Sequence, residues 1–281
     1  MKTYIKSLIF LFTITIISCE DVVDIEVPTG QTRLVIEASL DWEKGTAGNE
    51  QQIKLSTSTP YFGNVSSTEV TGASVTVVNE NTSEIFNFTD ENDGTYTTTT
   101  FVPIAGDTYS LEVIYNGQTY TASETLMTVS DINSVTQSIE GGFDDELLEL
   151  NLYFDDPVDE ENYYLIRYYE TGDLFASLED VSDEFTNGNE IHDFWEKEDD
   201  EDNNEQPFLP GDVVDVSLYG ISEQYYNYIR LLIEQYDGGG NPFSSTAAEI
   251  RGNCINPSNP SNYAFGYFRV TQVVKETYTF Q

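Results

Sequence analysis

The chain has 281 residues, with 50 acidic residues against 11 basic ones and a formal net charge of −39. So few Lys and Arg exclude nucleic acid as a partner, because phosphate binding needs clustered basic side chains. One histidine and two cysteines exclude a zinc site built from several His or Cys ligands. The chain also contains 19 Tyr and 16 Phe, a composition typical of a β-protein.

Residues 1–18 are predicted to be a lipoprotein signal peptide. Lys2 and Lys6 precede a short apolar run, and the small Ser18 stands before Cys19. About ten apolar residues are too few to cross a bilayer permanently, but they suit a cleaved export signal. Cleavage there predicts that Cys19 is lipidated, which gives lasting attachment to a membrane. In the alternative interpretation the signal peptide is an ordinary one and Cys19 is incidental.

Residues 19–31 are predicted to be the lipidated cysteine followed by an acidic tether. Glu20, Asp21 and Asp24 resemble the surface-export signals of Bacteroidota lipoproteins. The expected location is therefore the outer membrane, facing the cell surface, with the periplasmic face as the alternative. So acidic a chain repels anionic headgroups, which leaves the attachment to the lipid.

Residues 32–127 are predicted to form an immunoglobulin-like antiparallel β-sandwich. Apolar residues alternate along short segments that turn signals separate, and this period of two is typical of half-buried strands. The pair Asn116-Gly117 predicts a two-residue hairpin. The predicted strands span residues 33–40, 52–56, 73–79, 85–89, 95–100, 108–115 and 118–124.

Residues 128–281 are predicted to form a second β-rich domain with one packed α-helix, so the fold class is mainly all-β. Strands are predicted at 147–154, 163–170, 213–219 and 263–276, and Asn187-Gly188 suggests a further hairpin.

The helix is predicted near residues 222–237. Ser222 is its N-cap, and the glycines at 238–240 end it. The residues expected on its buried face are Tyr225, Ile229, Leu232 and Tyr236.

The order of several segments resembles the Bacteroidota lipoprotein family known as domain of unknown function 4249 (DUF4249). The resemblance covers essentially the whole mature chain, although residues 196–205 form a longer acidic insertion that inherits nothing from it. It implies a partner of a TonB-dependent outer-membrane transporter, by analogy with SusD-like lipoproteins, while the family's biochemical role is unassigned. The segments are residues 34–38, 70–73, 94–96, 154–157, 162–164, 211–212, 221–228, 241–243, 252–253 and 265–268.

The sequence offers little material for catalysis. His192 is the single histidine, and it suits an exposed surface position better than a catalytic base beside Asp193. Cys254 has no His or Lys nearby and is expected to be buried and inert. Carboxylates are so abundant that no particular pair is informative. We therefore expect a non-enzymatic protein, with a carboxylate-based hydrolase as a less favoured alternative.

Calcium is the one metal that the acidic loops could hold, because it takes six to eight oxygen ligands. Asp155 and Asp156, together with Asp159, form one candidate site, for which a self-capping turn is the alternative. The run 198–205 fails the EF-hand pattern, and a solvated loop is the favoured interpretation there, so metal binding by residues 196–205 stays open. No other cofactor is expected.

Exposed aromatic residues are the candidate ligand-binding groups, because a rigid apolar ring with a polar tip binds glycans or peptides well. Trp195 and Phe194, beside the acidic insertion, are the expected exposed pair, with Tyr225 and Tyr228 on the helix. The predicted function is an accessory or ligand-binding partner of a TonB-dependent nutrient transporter. A surface adhesin or structural lipoprotein is the alternative.

Overall fold

A computed structural model describes residues 30–60, 67–158, 160–199, 206–237 and 249–281. Within these ranges the chain is mainly β, with fourteen strands and one α-helix, which confirms the predicted fold class. No helix in these ranges is long and apolar enough to cross a membrane. The signal peptide, Cys19, Asp159 and most of the acidic insertion lie outside the described residues.

The elements follow one another along the chain with short connections. They are β1 (Leu34–Glu43), β2 (Gln51–Thr57), β3 (Ser74–Asn79), β4 (Ile85–Asp90), β5 (Thr95–Thr98), β6 (Thr108–Tyr115), β7 (Gln118–Thr125), β8 (Ile132–Ser138), β9 (Glu149–Asp155), β10 (Tyr163–Glu170), β11 (Ser177–Ser182), β12 (Glu190–Glu196), β13 (Val213–Ile221), α1 (Glu223–Asp237) and β14 (Phe265–Thr279).

The first seven strands form the predicted immunoglobulin-like sandwich. One layer pairs β1, β2 and β5 in that order, and the other pairs β4, β3, β6 and β7. The strand β4 joins the layers, because its last two residues pair with β5 while its earlier residues pair with β3. Alternate side chains point inward and form one core, which includes Ile36, Ile53, Val77, Phe86 and Leu111.

The hairpin between β6 and β7 is confirmed. Tyr115 pairs with Gln118 across a two-residue turn. Asn116 and Gly117 both have positive φ, at 48° and 72°, which suits a tight turn that follows the twist of the two strands.

The last strand, β14, connects the sandwich to the rest of the chain. Residues 265–273 pair in parallel with residues 35–43 of β1, and residues 273–279 pair antiparallel with β13. Gly266 permits the first pairing, because a Cβ at this position would overlap the Ile36 carbonyl and its φ is 94°.

The second half has three layers. Its central layer is the four-stranded segment β11-β10-β13-β14 of the large sheet, and the separate sheet β12-β9-β8 covers one of its faces. The helix α1 covers the other face. Neighbouring residues of β10 serve the two cores, since Leu165 packs under the helix and Ile166 packs against the three-stranded sheet.

The helix begins where the sequence predicts. The Tyr225 amide donates to the Ser222 Oγ at 3.1 Å, which is the expected N-cap bond. Tyr225, Ile229 and Leu232 pack on the sheet as expected. Tyr236 is 76% exposed, so its predicted place on the buried face is wrong; it lies in the last turn, beyond the residues that pack on the sheet.

Three strands escaped the sequence analysis, namely β8, β11 and β12. The predicted hairpin at Asn187-Gly188 is also wrong, because β11 pairs with β10 in the large sheet while β12 pairs with β9 in the small one. The turn therefore carries the chain from one layer to another. The division at residues 127 and 128 stays a prediction, since residues 32–281 form one compact unit.

Candidate functional site

The outer face of the three-stranded sheet carries a set of side chains that no other element covers over most of its length. In the register of β12 and β9, His192 lies opposite Tyr153, Phe194 opposite Asn151 and Glu196 opposite Glu149. Because side chains alternate along a strand, these six share the outer face, while Leu150, Leu152 and Phe154 point into the core.

Four rings on this face form a continuous series, which we call the aromatic row: Tyr153, His192, Phe194 and Phe143. Tyr153 and His192 are stacked, with centroids 4.5 Å apart and planes 7° apart. His192 lies 6.4 Å from Phe194, which lies 5.3 Å from Phe143. Phe143 comes from the loop between β8 and β9 and is 87% exposed. The row thus presents ring surface to solvent at low entropic cost.

Asn151 fixes the polar groups beneath the row. Its Oδ1 lies 2.6 Å from the His192 Nε2, which therefore donates the hydrogen bond. Its Nδ2 donates to the Ser138 Oγ at 3.1 Å and to the Glu149 Oε1 at 3.3 Å. His192 is exposed, as predicted, and its ring is held at a set angle by Asn151 and Tyr153.

The loop of residues 139–148 closes one end of this face. The Glu149 Oε1 accepts hydrogen bonds from the Ser138 hydroxyl and, at 2.8 Å, from the Gly141 amide. Burial opposes ionisation of Glu149, but the bonds from Ser138, Asn151 and the glycine amides outweigh it and lower the pKa of this carboxyl. A Cβ on Gly142 would overlap the carboxylates of both Glu149 and Glu196.

Trp195 does not belong to this face, contrary to the expected exposure. It is 8% exposed, stacks on Tyr168 at 5.4 Å and meets Phe208 edge-on at 4.9 Å. Phe194 is half-buried and lies on the outer face. The two are neighbours on one strand and must point in opposite directions, so both could not be exposed.

Asp193, between them, is turned towards the core. It accepts a hydrogen bond from the Tyr168 hydroxyl at 2.6 Å. Burial raises the pKa of Asp193, and the bonds and charges of Tyr168 and His192 reduce this effect only in part.

The two helix tyrosines lie on the far side of the central layer, so the structure does not bring them to Phe194. Tyr225 is 8% exposed and meets Tyr267 at 4.9 Å. Tyr228 is half-buried, and burial raises its pKa to about 12. The buried guanidinium of Arg269 lies 4.9 Å from the ring of Tyr225. These positions indicate packing under the helix.

The aspartates proposed for calcium occupy different environments. Asp156 is buried and accepts hydrogen bonds from the Tyr164 hydroxyl at 2.6 Å and from the Gly188 amide at 2.9 Å, which matches a capping role. Asp155 is exposed and lines a cavity of about 440 Å³ near Lys44. In the described ranges no three His, Cys, Asp or Glu residues group as metal ligands. Calcium at Asp155, Asp156 and Asp159 stays a prediction.

Cys254 is buried and free, as expected. Burial raises the pKa of its thiol to about 12, so it is protonated and unreactive at neutral pH.

The sequence analysis missed Phe143, Tyr153, Asn151 and Glu149 as members of this surface. A signal was present in the period of two shared by residues 149, 151 and 153 and by residues 190, 192, 194 and 196. It becomes visible only once β12 is recognised as the partner of β9.

One family matches this chain: the one described as "Domain of unknown function (DUF4249)", over residues 20–277. No curated protein matches the chain.

Several solved structures are similar over part of the chain. A DUF4785 family protein from Legionella pneumophila has 11% identity and a TM-score of 0.27, with 68% of this chain and 53% of that one covered. The chain thus spans about half of that protein. A two-domain fibronectin type III segment of chicken tenascin has 11% identity and a TM-score of 0.21, covering 61% and 85%. The FN1–FN3 domains of chicken CNTN1 have 14% identity and a TM-score of 0.27, covering 70% and 63%.

Proposed function

Since the chain belongs to the DUF4249 family, whose role the family description leaves open, we propose a function from the exposed surface. The protein is a non-enzymatic lipoprotein of the outer membrane that binds a ligand on the outer face of its three-stranded sheet. It serves as an accessory partner of a TonB-dependent nutrient transporter. The lipid anchor at Cys19 and the transporter come from the sequence and the family resemblance.

The observation that carries the ligand-binding part is the aromatic row. Exposed rings in contact with one another are unusual on a soluble face, because each leaves apolar surface in water. Here Phe143 is 87% exposed and touches Phe194, next to the stacked Tyr153 and His192. Such a strip accommodates a flat apolar partner surface.

A neutral glycan is the ligand class that suits this row. The C–H faces of sugar rings stack on aromatic rings, and hydroxyl groups need acceptors and donors close by. Glu190 lies at one end of the same face, and Thr136 pairs with Asn151 at its centre. The acidic surroundings of the row, in a chain of net charge −39, disfavour an anionic ligand.

The position of the row supports presentation away from the chain's entry point. Strand β1 begins beside the start of β14, whereas the three-stranded sheet packs against Val274, Tyr278 and Phe280 at the other end. β14 has 15 residues, which corresponds to about 50 Å of extended strand. If the tether leads to a membrane, the row lies at the distant end.

The first experiment is an affinity pull-down of the full lipidated protein from its native outer membrane, followed by mass spectrometry. Stoichiometric recovery of a TonB-dependent barrel is the expected result. Recovery of the protein alone would contradict the transporter role and favour the adhesin alternative.

The ligand-binding part is tested separately with an array of neutral oligosaccharides. We compare the wild type with Phe194→Ala and with Tyr236→Ala, a control that removes an exposed ring from the helix. Loss of glycan binding in Phe194→Ala alone is expected. Binding only to peptides, or release of cleaved sugars, would replace the glycan-binding proposal with a peptide binder or the hydrolase alternative.

A further inference from the structure

Glu149 is a buried carboxylate whose two oxygens have very different surroundings. The residue is 0% exposed. Its Oε1 accepts hydrogen bonds from Ser138, Gly141 and Asn151, whereas its Oε2 is buried without a hydrogen-bond partner. A carboxylate oxygen out of water and without a donor is strongly unfavourable.

Glu196 repeats this situation directly across the strand pair. It lies opposite Glu149 in the register of β12 and β9. Its Oε2 is 3.4 Å from the Asp144 amide, while its Oε1 is buried and has no partner. The Cα of Gly142 stands between the two carboxylates, since a Cβ there would overlap both. Two partnerless carboxylate oxygens thus lie at one place, beneath the loop.

The basic side chains whose ion pairs the described ranges contain pair with other acids. Lys197 follows Glu196 in the sequence, but its Nζ binds Glu170 at 2.6 Å and Asp173 at 3.1 Å on the core side of the strand. The ion pairs of Lys44, Arg230, Arg251, Arg269 and Lys275 likewise leave Glu149 and Glu196 out. The negative charge beneath the loop therefore has no protein cation beside it.

We propose that a divalent cation, calcium by its ligand chemistry, binds between the Glu149 Oε2 and the Glu196 Oε1 beneath the loop of residues 139–148. Both are hard oxygen ligands, and calcium completes its shell with backbone carbonyls and water. The described ranges hold no group of three His, Cys, Asp or Glu for a metal, so this site has two carboxylates. Two carboxylates are typical of a weak site, with a dissociation constant on the order of 0.1–1 mM.

The cation fixes the loop that carries Phe143. Glu149 and Glu196 both hold backbone amides of this loop, and Phe143 reaches Phe194 from it. Neutralising the two carboxylates keeps the loop closed and the aromatic row complete. This site is independent of the proposed function, because cation binding requires no glycan and no transporter.

The test is a titration of CaCl2 into the full chain after chelator treatment, at about 150 mM NaCl to screen the general surface charge. Differential scanning calorimetry reports the Tm, and hydrogen exchange reports the protection of residues 139–148. We expect calcium to raise the Tm and to slow exchange in this loop. Glu196→Gln keeps the shape of the side chain and is expected to weaken calcium binding by about tenfold or more.

Glu112→Gln is the matched control, since Glu112 is exposed on β6 of the sandwich. It removes one charge of the same kind and is expected to leave the calcium response unchanged. An equal response of the wild type and Glu196→Gln, or no protection of residues 139–148 in the wild type, would overturn the site. In the latter case the two carboxylates share a proton, and the Tm of the wild type would be indifferent to calcium.

Discussion

The sandwich and the second half of the chain bury different chemistry. In the sandwich, the buried polar side chains are Gln51, Asn79 and Thr98, and Glu124 is its one buried charge in the described ranges. The second half buries charges in all three of its layers: Glu149, Asp156, Asp183, Lys197 and Arg269.

Buried charges add little stability in place of apolar residues and are strongly destabilising when left without a partner. The sandwich therefore has the composition of a scaffold, held by apolar burial. The second half keeps charged groups that a scaffold does not need, and its outer sheet face exposes the aromatic row. This contrast points to the second half as the functional one, and the following predictions test it.

The largest effect is expected at the ion pair that links the two halves. The Arg269 guanidinium on β14 donates to the Asp41 carboxylate on β1 at 2.6 Å, and the Arg269 side chain is only 7% exposed. Asp41→Ala leaves this guanidinium buried without its carboxylate, so we expect a loss of about 3 kcal/mol in the free energy of unfolding. Urea denaturation measures it.

Glu43→Ala is the matched control, because Glu43 pairs with Lys275 on the same two strands at 2.8 Å. That pair is about half exposed and is expected to contribute less than about 1 kcal/mol. Equal losses in the two variants would show that burial does not distinguish the two ion pairs.

The second prediction concerns the polar groups of the sandwich. The Tyr96 hydroxyl, fully buried, donates to the Val70 carbonyl at 3.0 Å and accepts from the Ala73 amide at 3.1 Å. Tyr96→Phe leaves both backbone groups unpaired, and we expect a loss of about 2 kcal/mol. Thermal unfolding of this variant is compared with that of Tyr236→Phe, whose hydroxyl is on an exposed side chain; a similar Tm in both would refute this role.

The same contrast explains how much the sequence could predict. Strands such as β3 and β6 alternate buried and open positions within a few residues, so period and turn chemistry suffice to predict them. The sandwich was therefore predicted nearly strand by strand. The parallel pairing of β1 with β14 joins residues some 230 positions apart, and no local pattern encodes it.

The candidate site was predicted only at Phe194. Strand β12 carries Ile191 and Trp195 inside, Phe194 outside, and Asp193 turned to the core, so hydrophobicity does not mark its buried face. Glu149 could not be recognised from the sequence, since its burial depends on a glycine loop and on a strand 47 positions later.

The third prediction concerns pH dependence in the second half. Burial raises the pKa of Asp193, so the folded protein holds this proton at a higher pH than the unfolded chain does. Its contribution to stability is fully present below the unfolded pKa, about 4, and is lost as the pH rises through the folded pKa. Asp193→Asn does not titrate and keeps an acceptor for Tyr168.

We therefore expect the wild type to lose stability relative to Asp193→Asn between about pH 4 and neutral pH. Urea denaturation of both proteins at several pH values isolates the contribution, since all other acids are common to both. A constant difference across this range would contradict the raised pKa.

The smallest effect on stability is expected at Phe143, and it separates binding from folding within one sheet. Phe143 is 87% exposed, whereas Phe154, on the inner face, is 0% exposed. Phe143→Ala should change the free energy of unfolding by no more than about 0.5 kcal/mol, while Phe154→Ala removes about 3 kcal/mol or more. If the aromatic row binds a ligand, Phe143→Ala lowers affinity for the bound oligosaccharide at unchanged stability, as isothermal titration calorimetry would record. Unchanged affinity in a stably folded Phe143→Ala variant would remove the exposed end of the row from the binding surface and leave Tyr153, His192 and Phe194 as its remaining rings.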